Sequence, residues 1–177
     1  MSERRSAPKW GATTGSTRKP LAYFITFSTY GAWLHGDERG SSGRKRGGTH
    51  DEYLQPGRPL AGKELALLKQ PPFQLEPEQR EVVERTIREV AQYRGWDLQA
   101  LAAKGMHVHC VVDADAPPEK VMNDFKAWAT RRLREAGMVG PTRKVWARHG
   151  STRYLWNLRA VDYARGYVDR HAGRGTP

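Results

Sequence analysis

The chain is organised around Met106-His107-Val108-His109-Cys110-Val111-Val112, a short apolar run that carries two histidines with one residue between them. Such a run is typical of a buried strand, whose side chains alternate between its two faces. We therefore predict that His107 and His109 share one face while Cys110 points to the other. Two neutral imidazoles side by side can hold a metal ion. The alternative interpretations are two hydrogen-bonded core histidines or a polar strip on a half-exposed strand.

Composition favours one domain with a polyanionic partner. The 177 residues, 38% of them hydrophobic, are enough for one core, although the mean hydropathy of -0.77 is on the polar side. Thirty Lys and Arg against nineteen Asp and Glu give a formal charge of +11 and a pI near 10.1. Nucleic acid is the leading partner class, and an anionic membrane surface comes second.

Cysteine content and hydropathy exclude several classes of protein. The single cysteine, Cys110, excludes an internal disulfide and a cysteine-cluster zinc site. No apolar stretch approaches the roughly 20 residues of a membrane-spanning helix, and the N-terminus lacks the apolar segment of a signal peptide. We expect a cytoplasmic protein that associates with the nucleoid through DNA and has no membrane partner.

Periodicity and turn residues predict an α+β domain over residues 21–173. Residues 1–20 are predicted to be a disordered basic arm, 31–60 a long loop rich in glycine and basic residues, and 174–177 a tail. A short connection between two of the strands predicts an antiparallel hairpin. The predicted strands are 21–30, 96–102 and 106–113, with one or two more in 144–156; the predicted helices are 62–69, 76–93, 117–136 and 158–171.

The last helix offers partners for the histidine strand. Tyr167 and His171 lie four residues apart, on the border of its apolar stripe, so both can face the sheet if the stripe packs there. His107, His109 and His171 would then form a three-ligand site for a divalent metal. Tyr167 would be a nucleophile for a phosphodiester, with Tyr163 as the rival one turn earlier.

Two basic clusters are candidates for contact with nucleic acid. The helix predicted for 117–136 carries the first, which is equally compatible with a solvated face. Basic and aromatic residues alternate in 144–156, a pattern that suits phosphate contacts and base stacking but also a packed edge strand with solvated arginines. The candidate DNA-binding residues are Lys126, Arg131, Arg132, Arg148, His149 and Arg153.

These motifs together resemble a known family. His107-Val108-His109 is similar to the His-hydrophobic-His motif of the HUH endonucleases, and Tyr167 with His171 resembles their C-terminal tyrosine helix. The chain most resembles the single-tyrosine HUH transposases, including those associated with REP sequences. The segments 23–31, 125–133 and 146–150 also resemble that group, so the likeness spans roughly residues 21–173.

The resemblance implies a ferredoxin-like or RRM-like antiparallel sheet flanked by helices, with a tyrosine-bearing helix at the C-terminal end. It also implies Mg²⁺ or Mn²⁺ as cofactor and single-stranded DNA, often with a hairpin, as substrate. Cleavage would leave a 5′-phosphotyrosine and a free 3′-hydroxyl, and strand transfer would follow without ATP. Family members commonly form homodimers, in which one subunit's tyrosine helix can serve the other's histidines.

The chain departs from the family pattern at three places. His171 stands where the third ligand is often Gln or Asn, residues 170–173 lack the Asn-Pro that tends to follow the tyrosine, and the loop 31–60 is long. The alternative function is therefore a catalytically inactive, basic nucleic-acid-binding domain of the same fold. Histidine phosphoesterases fit less well, because Val111 occupies the third position of a His-x-His-x-His motif.

Overall fold

The computed structural model of the chain describes residues 19–32, 41–42, 53–54 and 68–173. The basic arm predicted for 1–20 lies outside the described residues except for its last two, as do most of the loop 31–60, residues 62–67 of the first predicted helix and the tail 174–177. The domain boundaries at these places stay predictions.

Within the described part, the predicted helices and strands occur in the predicted order, and two strands of two residues each, which were not predicted, lie within the predicted loop 31–60. The segment 144–156, predicted to hold one or two strands, forms a single strand, and the helix after it has the predicted bounds 158–171. The elements are β1 (Ala22–Thr29), β2 (Ser41–Ser42), β3 (Tyr53–Leu54), α1 (Pro77–Arg94), β4 (Asp97–Ala103), β5 (His107–Asp113), α2 (Pro118–Glu135), β6 (Trp146–Leu155) and α3 (Leu158–His171).

The ends of the helices follow local chemistry. Glu76 and Gln79 form a reciprocal capping box at the start of α1, and Gly95 ends that helix with a φ of 69°. At the start of α3, the Asn157 side chain accepts a hydrogen bond from the amide of Ala160, so that helix begins after only two connecting residues from the end of β6.

Four strands form one antiparallel sheet in the order β4-β5-β1-β6, and β2 pairs with β3 in a separate two-stranded ladder. The chain order β1-α1-β4-β5-α2-β6 and this sheet order are those of a ferredoxin-like fold. The hairpin predicted from the short connection at Lys104-Gly105 is present, with Ala103 opposite Val108. The predicted fold class is therefore confirmed.

The helices cover opposite faces of the sheet. The larger core joins α1 and α2 to the face that carries Ile25, Phe27 and Cys110, all fully buried. The smaller core joins α3 to the other face, where Val111 packs against Val168 and their neighbours. Alternation along β5 therefore places His107 and His109 on the same face as Val111, the face covered by the tyrosine-bearing helix. In the described residues, no helix has the length and apolarity needed to cross a membrane.

Candidate active site

Two neighbouring strands position the histidine pair. The ring centroids of His107 and His109 are 5.1 Å apart, and His107 is the more exposed of the two. His109 is only 6% exposed and lies opposite Thr26 of β1. Nδ1 of His109 is 2.9 Å from the Thr26 hydroxyl, a hydrogen bond that fixes the plane of the imidazole.

The environment of His109 keeps its imidazole neutral. Burial, and to a smaller extent the nearby imidazoles of His107 and His171, together lower the pKa of His109 to about 4. Its Nε2 atom is buried and has no hydrogen-bond partner. In the tautomer that carries its proton on Nδ1 and donates it to the Thr26 hydroxyl, Nε2 keeps an unpaired lone pair, which is the state that a metal ligand requires.

Helix α3 brings Tyr167 and His171 over this pair. The Tyr167 ring centroid is 5.5 Å from that of His109 and 4.2 Å from that of His171. The His109 and His171 rings are 5.2 Å apart. Because α3 packs its apolar stripe on the sheet, the predicted meeting of the strand histidines with the helical tyrosine and histidine occurs within one chain.

The orientation of His171 suits a metal ligand. Its Nδ1 lies 2.9 Å from the Tyr167 carbonyl oxygen, which can only accept, so Nδ1 carries the proton and donates. The Nε2 atom of His171 therefore keeps its lone pair. This backbone hydrogen bond, one turn back along the helix, is an outer contact of the kind that orients metal-binding imidazoles.

The donor set fits a divalent ion in its chemistry, since the unpaired Nε2 of His109 and the lone pair of His171 lie beside His107. In the described part of the chain, no three His, Cys, Asp or Glu side chains have their donor atoms gathered at metal-binding spacing. Side-chain rotations of the two less buried imidazoles would be needed to converge on one ion.

Tyr163 lies apart from the histidines. Its side chain is 74% exposed, and in the described residues its ring makes no aromatic contact with an imidazole. Tyr167, by contrast, is half-buried and also meets the Phe24 ring edge to face at 5.8 Å. Of the two tyrosines, Tyr167 is therefore the one that contacts the histidines.

Lys126, predicted to contact DNA, lies inside the molecule. It is 8% exposed, and its Nζ donates to the carbonyl oxygens of Ala147 and His149, both at 3.1 Å. Burial lowers its pKa. Lys126 therefore holds the start of β6 against α2 and is not available at the surface. Its position on α2 could not be read from charge alone, because the sequence pattern does not show which face of the helix meets β6.

Arg131 and Arg132 lie on α2, across the sheet from the histidines. Both donate to Glu135, and Arg131 also lies over the Trp128 ring, 5.2 Å from its centroid. Arg132 is 3.8 Å from a carboxylate oxygen of Glu89. These two arginines form an exposed network with α1 and do not line the site.

The other three candidates are exposed on β6. Arg148 and His149 lie where the pairing of β6 with β1 shifts register. Arg153 is opposite Phe24, which stacks on His109 with a centroid distance of 6.1 Å and an interplanar angle of 18°. Arg153 therefore lies on the same face of the sheet as the histidines, on the strand next to the one that carries Phe24.

Three residues of the site were not singled out from the sequence. Thr26 orients His109, Phe24 packs between β6 and the histidines, and Arg159 lies near Tyr163 on α3. The alternation of β1 was visible, but its register against β5 was needed to show that Phe24 and Thr26 adjoin the site. Cys110 faces away, and burial raises the pKa of its thiol to about 12, so it is neither a nucleophile nor a ligand here.

Comparison with solved structures finds several chains of similar architecture, including the following two. One is a REP-associated tyrosine transposase bound to a REP hairpin, with a TM-score of 0.50, 14% identity, and coverage of 98% of this chain and 76% of that chain. The other is a candidate transposase from Deinococcus radiodurans R1, with a TM-score of 0.49, 12% identity, and coverage of 97% and 98%. No family model and no curated protein matches the chain. The chain is thus similar in fold to a REP-associated tyrosine transposase.

Proposed function

We propose that this protein is a single-tyrosine HUH endonuclease and strand transferase that acts on single-stranded DNA near a hairpin. The observation that carries the proposal is the position of Tyr167 against His109 and His171, with the buried Nε2 of His109 unpaired. The fold, the +11 charge and the hairpin DNA bound by the structural neighbour support the same conclusion.

In the proposed reaction, the Tyr167 hydroxyl oxygen attacks the phosphorus of a phosphodiester. The phenol proton passes to water or to a neighbouring imidazole, and the bond from phosphorus to the 3′-oxygen breaks. The products are a 5′-phosphotyrosine and a 3′-oxygen that takes up a proton. Attack by the 3′-hydroxyl of another strand reverses these steps and frees Tyr167, so one phosphoester bond replaces another and no ATP is needed.

The histidines complete the site. A divalent cation, Mg²⁺ or Mn²⁺, held by His107, His109 and His171 would offset the negative charge that develops on the phosphate oxygens. Thr26 keeps the His109 ring in plane and in the tautomer with a free Nε2, so it acts as a positioning residue. Phe24 and the apolar side of α3 exclude water from the buried half of the site.

The test compares covalent adduct formation by the unchanged protein and by the Tyr167→Phe variant. Protein is incubated with Mn²⁺ and with hairpin-bearing single strands taken from palindromes that flank the gene, and adducts are resolved on a denaturing gel. We expect an adduct with the unchanged protein and none with Tyr167→Phe, because only the attacking oxygen is removed. Tyr93→Phe, on an exposed position of α1, is the matched control and keeps the adduct.

The same experiment separates the competing assignments. An adduct from Tyr167→Phe, or its loss from Tyr163→Phe, would move the nucleophile to Tyr163. Tight binding of these strands with no adduct from the unchanged protein would favour the inactive DNA-binding domain.

A further inference from the structure

A groove opens beside Tyr167, between the outer strand β6 and helix α3. Its volume is about 460 Å³, within the range of about 300–1,000 Å³ that is usual for ligand sites. The Phe24 ring and the small side chains of Ala160 and Ala164 give it an apolar floor. Tyr167 also lines the groove, so whatever fills the groove adjoins the proposed nucleophile.

Two arginine side chains line the groove. Arg153 comes from β6 and Arg159 from the first turn of α3, and both are exposed. In the described part of the chain, neither is ion-paired with a carboxylate. By contrast, Arg131 and Arg132 of α2 are paired with Glu135, and Arg132 also with Glu89. Arg153 and Arg159 thus bring two positive charges to the groove without a carboxylate partner among the described residues.

Tyr163 is a third side chain that lines the groove. It lies one turn after Arg159 and one turn before Tyr167, and its ring is 74% exposed although it borders the groove. Stacking of a flat apolar ligand on an exposed aromatic ring beside an apolar groove is favourable, because it removes the face of the ring from water. Nothing in the described residues covers it.

These features match one unpaired nucleotide. A nucleobase presents a flat apolar face that stacks on aromatic rings, and its phosphate pairs with guanidinium groups. We propose that the groove binds the base and phosphate of the unpaired nucleotide next to the scissile phosphate, with the base between Phe24 and Tyr163 and the phosphate on Arg153 and Arg159. The proposal rests on the proposed function for the identity of the strand, but it concerns binding and not cleavage.

The affinity test uses a fluorescein-labelled oligothymidylate of about 16 nucleotides and fluorescence anisotropy at fixed salt. We expect Arg153→Ala and Arg159→Ala each to raise Kd about tenfold, and Tyr163→Ala about fivefold or more, from the known size of stacking and charged contacts. Tyr163→Phe keeps the ring and retains affinity to within about twofold.

Arg165→Ala is the matched control. It lies on the same helix, removes the same charge and is 4.0 Å from Asp162, outside the groove. We expect its Kd to change by less than about twofold, because general electrostatic attraction is shared by all thirty basic residues. Equal losses in Arg165→Ala and Arg159→Ala would overturn the proposal.

Photo-crosslinking gives the location independently. Strands with 5-iodo-2′-deoxyuridine at single positions are irradiated with the Tyr167→Phe protein, and crosslinked peptides are identified by mass spectrometry. Crosslinks to Phe24 or Tyr163 support the groove, and crosslinks confined to other surfaces overturn it. The two proposals fail separately: groove crosslinks without a covalent adduct would reject only the nuclease, and adducts with unaltered Kd in the groove variants would reject only the groove.

Discussion

At the scale of single residues, the lowered pKa of His109 makes the free energy of unfolding depend on pH. Its folded pKa of about 4 lies below the value of about 6.5 expected when unfolded. Between these pH values the unfolded chain binds a proton that the folded chain does not, so the free energy of unfolding rises with pH by up to about 3 kcal/mol. Denaturant titrations in EDTA from about pH 4.5 to 7 measure this slope.

The groups that face His109 are His107, His171 and Tyr167, and His109→Gln removes the titration without removing them. We expect the variant to show a clearly shallower slope over the same pH window. An identical slope in the variant would assign the acid sensitivity to other residues.

Lys126 is the residue at which sequence and structure differ most. Lys126→Met removes the donor to two carbonyl oxygens of β6. We expect a loss of about 1–3 kcal/mol in the free energy of unfolding, with single-strand affinity changed by less than about twofold. Lys120→Met on the same helix is the control, because Lys120 is exposed and forms a surface ion pair with Asp124. Loss of affinity at unchanged stability would return Lys126 to the DNA-binding residues.

At the scale of elements, Gly166 is the weak point of α3. A Cβ added there would meet only the end of the Arg170 side chain, at 3.5 Å, so packing does not require glycine. We expect Gly166→Ala to raise the free energy of unfolding by about 0.5–1 kcal/mol, because alanine loses less backbone entropy in a helix. Thermal denaturation measures the gain, and a lower melting temperature would contradict it.

At Gly150 of β6, unlike at Gly166, there is no room for a Cβ atom. An added Cβ would lie 2.5 Å from Met122 Sδ and 2.6 Å from the Thr26 carbonyl oxygen, and the backbone atom cannot move aside cheaply. The same glycine-to-alanine change should therefore lower stability here by roughly 1–3 kcal/mol. The contrast between the two variants separates helix propensity from space.

At the scale of the whole molecule, α3 packs over the histidines of its own chain. Only Trp156 and Asn157 connect it to β6, and its apolar stripe is buried on the same sheet. A mixture of His109→Ala and Tyr167→Phe proteins should therefore form no covalent adduct. Adduct formation restored by mixing would show instead that a partner subunit supplies the tyrosine helix.

The α+β class, the order of elements from β4 to α3 and the spacing of Tyr167 with His171 were all predictable from the sequence. Local signals carry that information: alternation in strands, a 3.6-residue period in helices, and proline or glycine at their ends. The bounds of α3 were predicted from its apolar stripe, and the structure shows the Asn157 cap as the local reason for the start of the helix.

The sequence by itself therefore determined two halves of a site, one on a strand and one on a helix. Only the tertiary structure decided that they meet in one chain, that Thr26 orients His109, and that Arg153 and Arg159 share a groove. It also decided that Lys126 is buried. Strand register and helix packing bring together residues far apart in the chain, and those relations depend on the whole core and not on any local pattern.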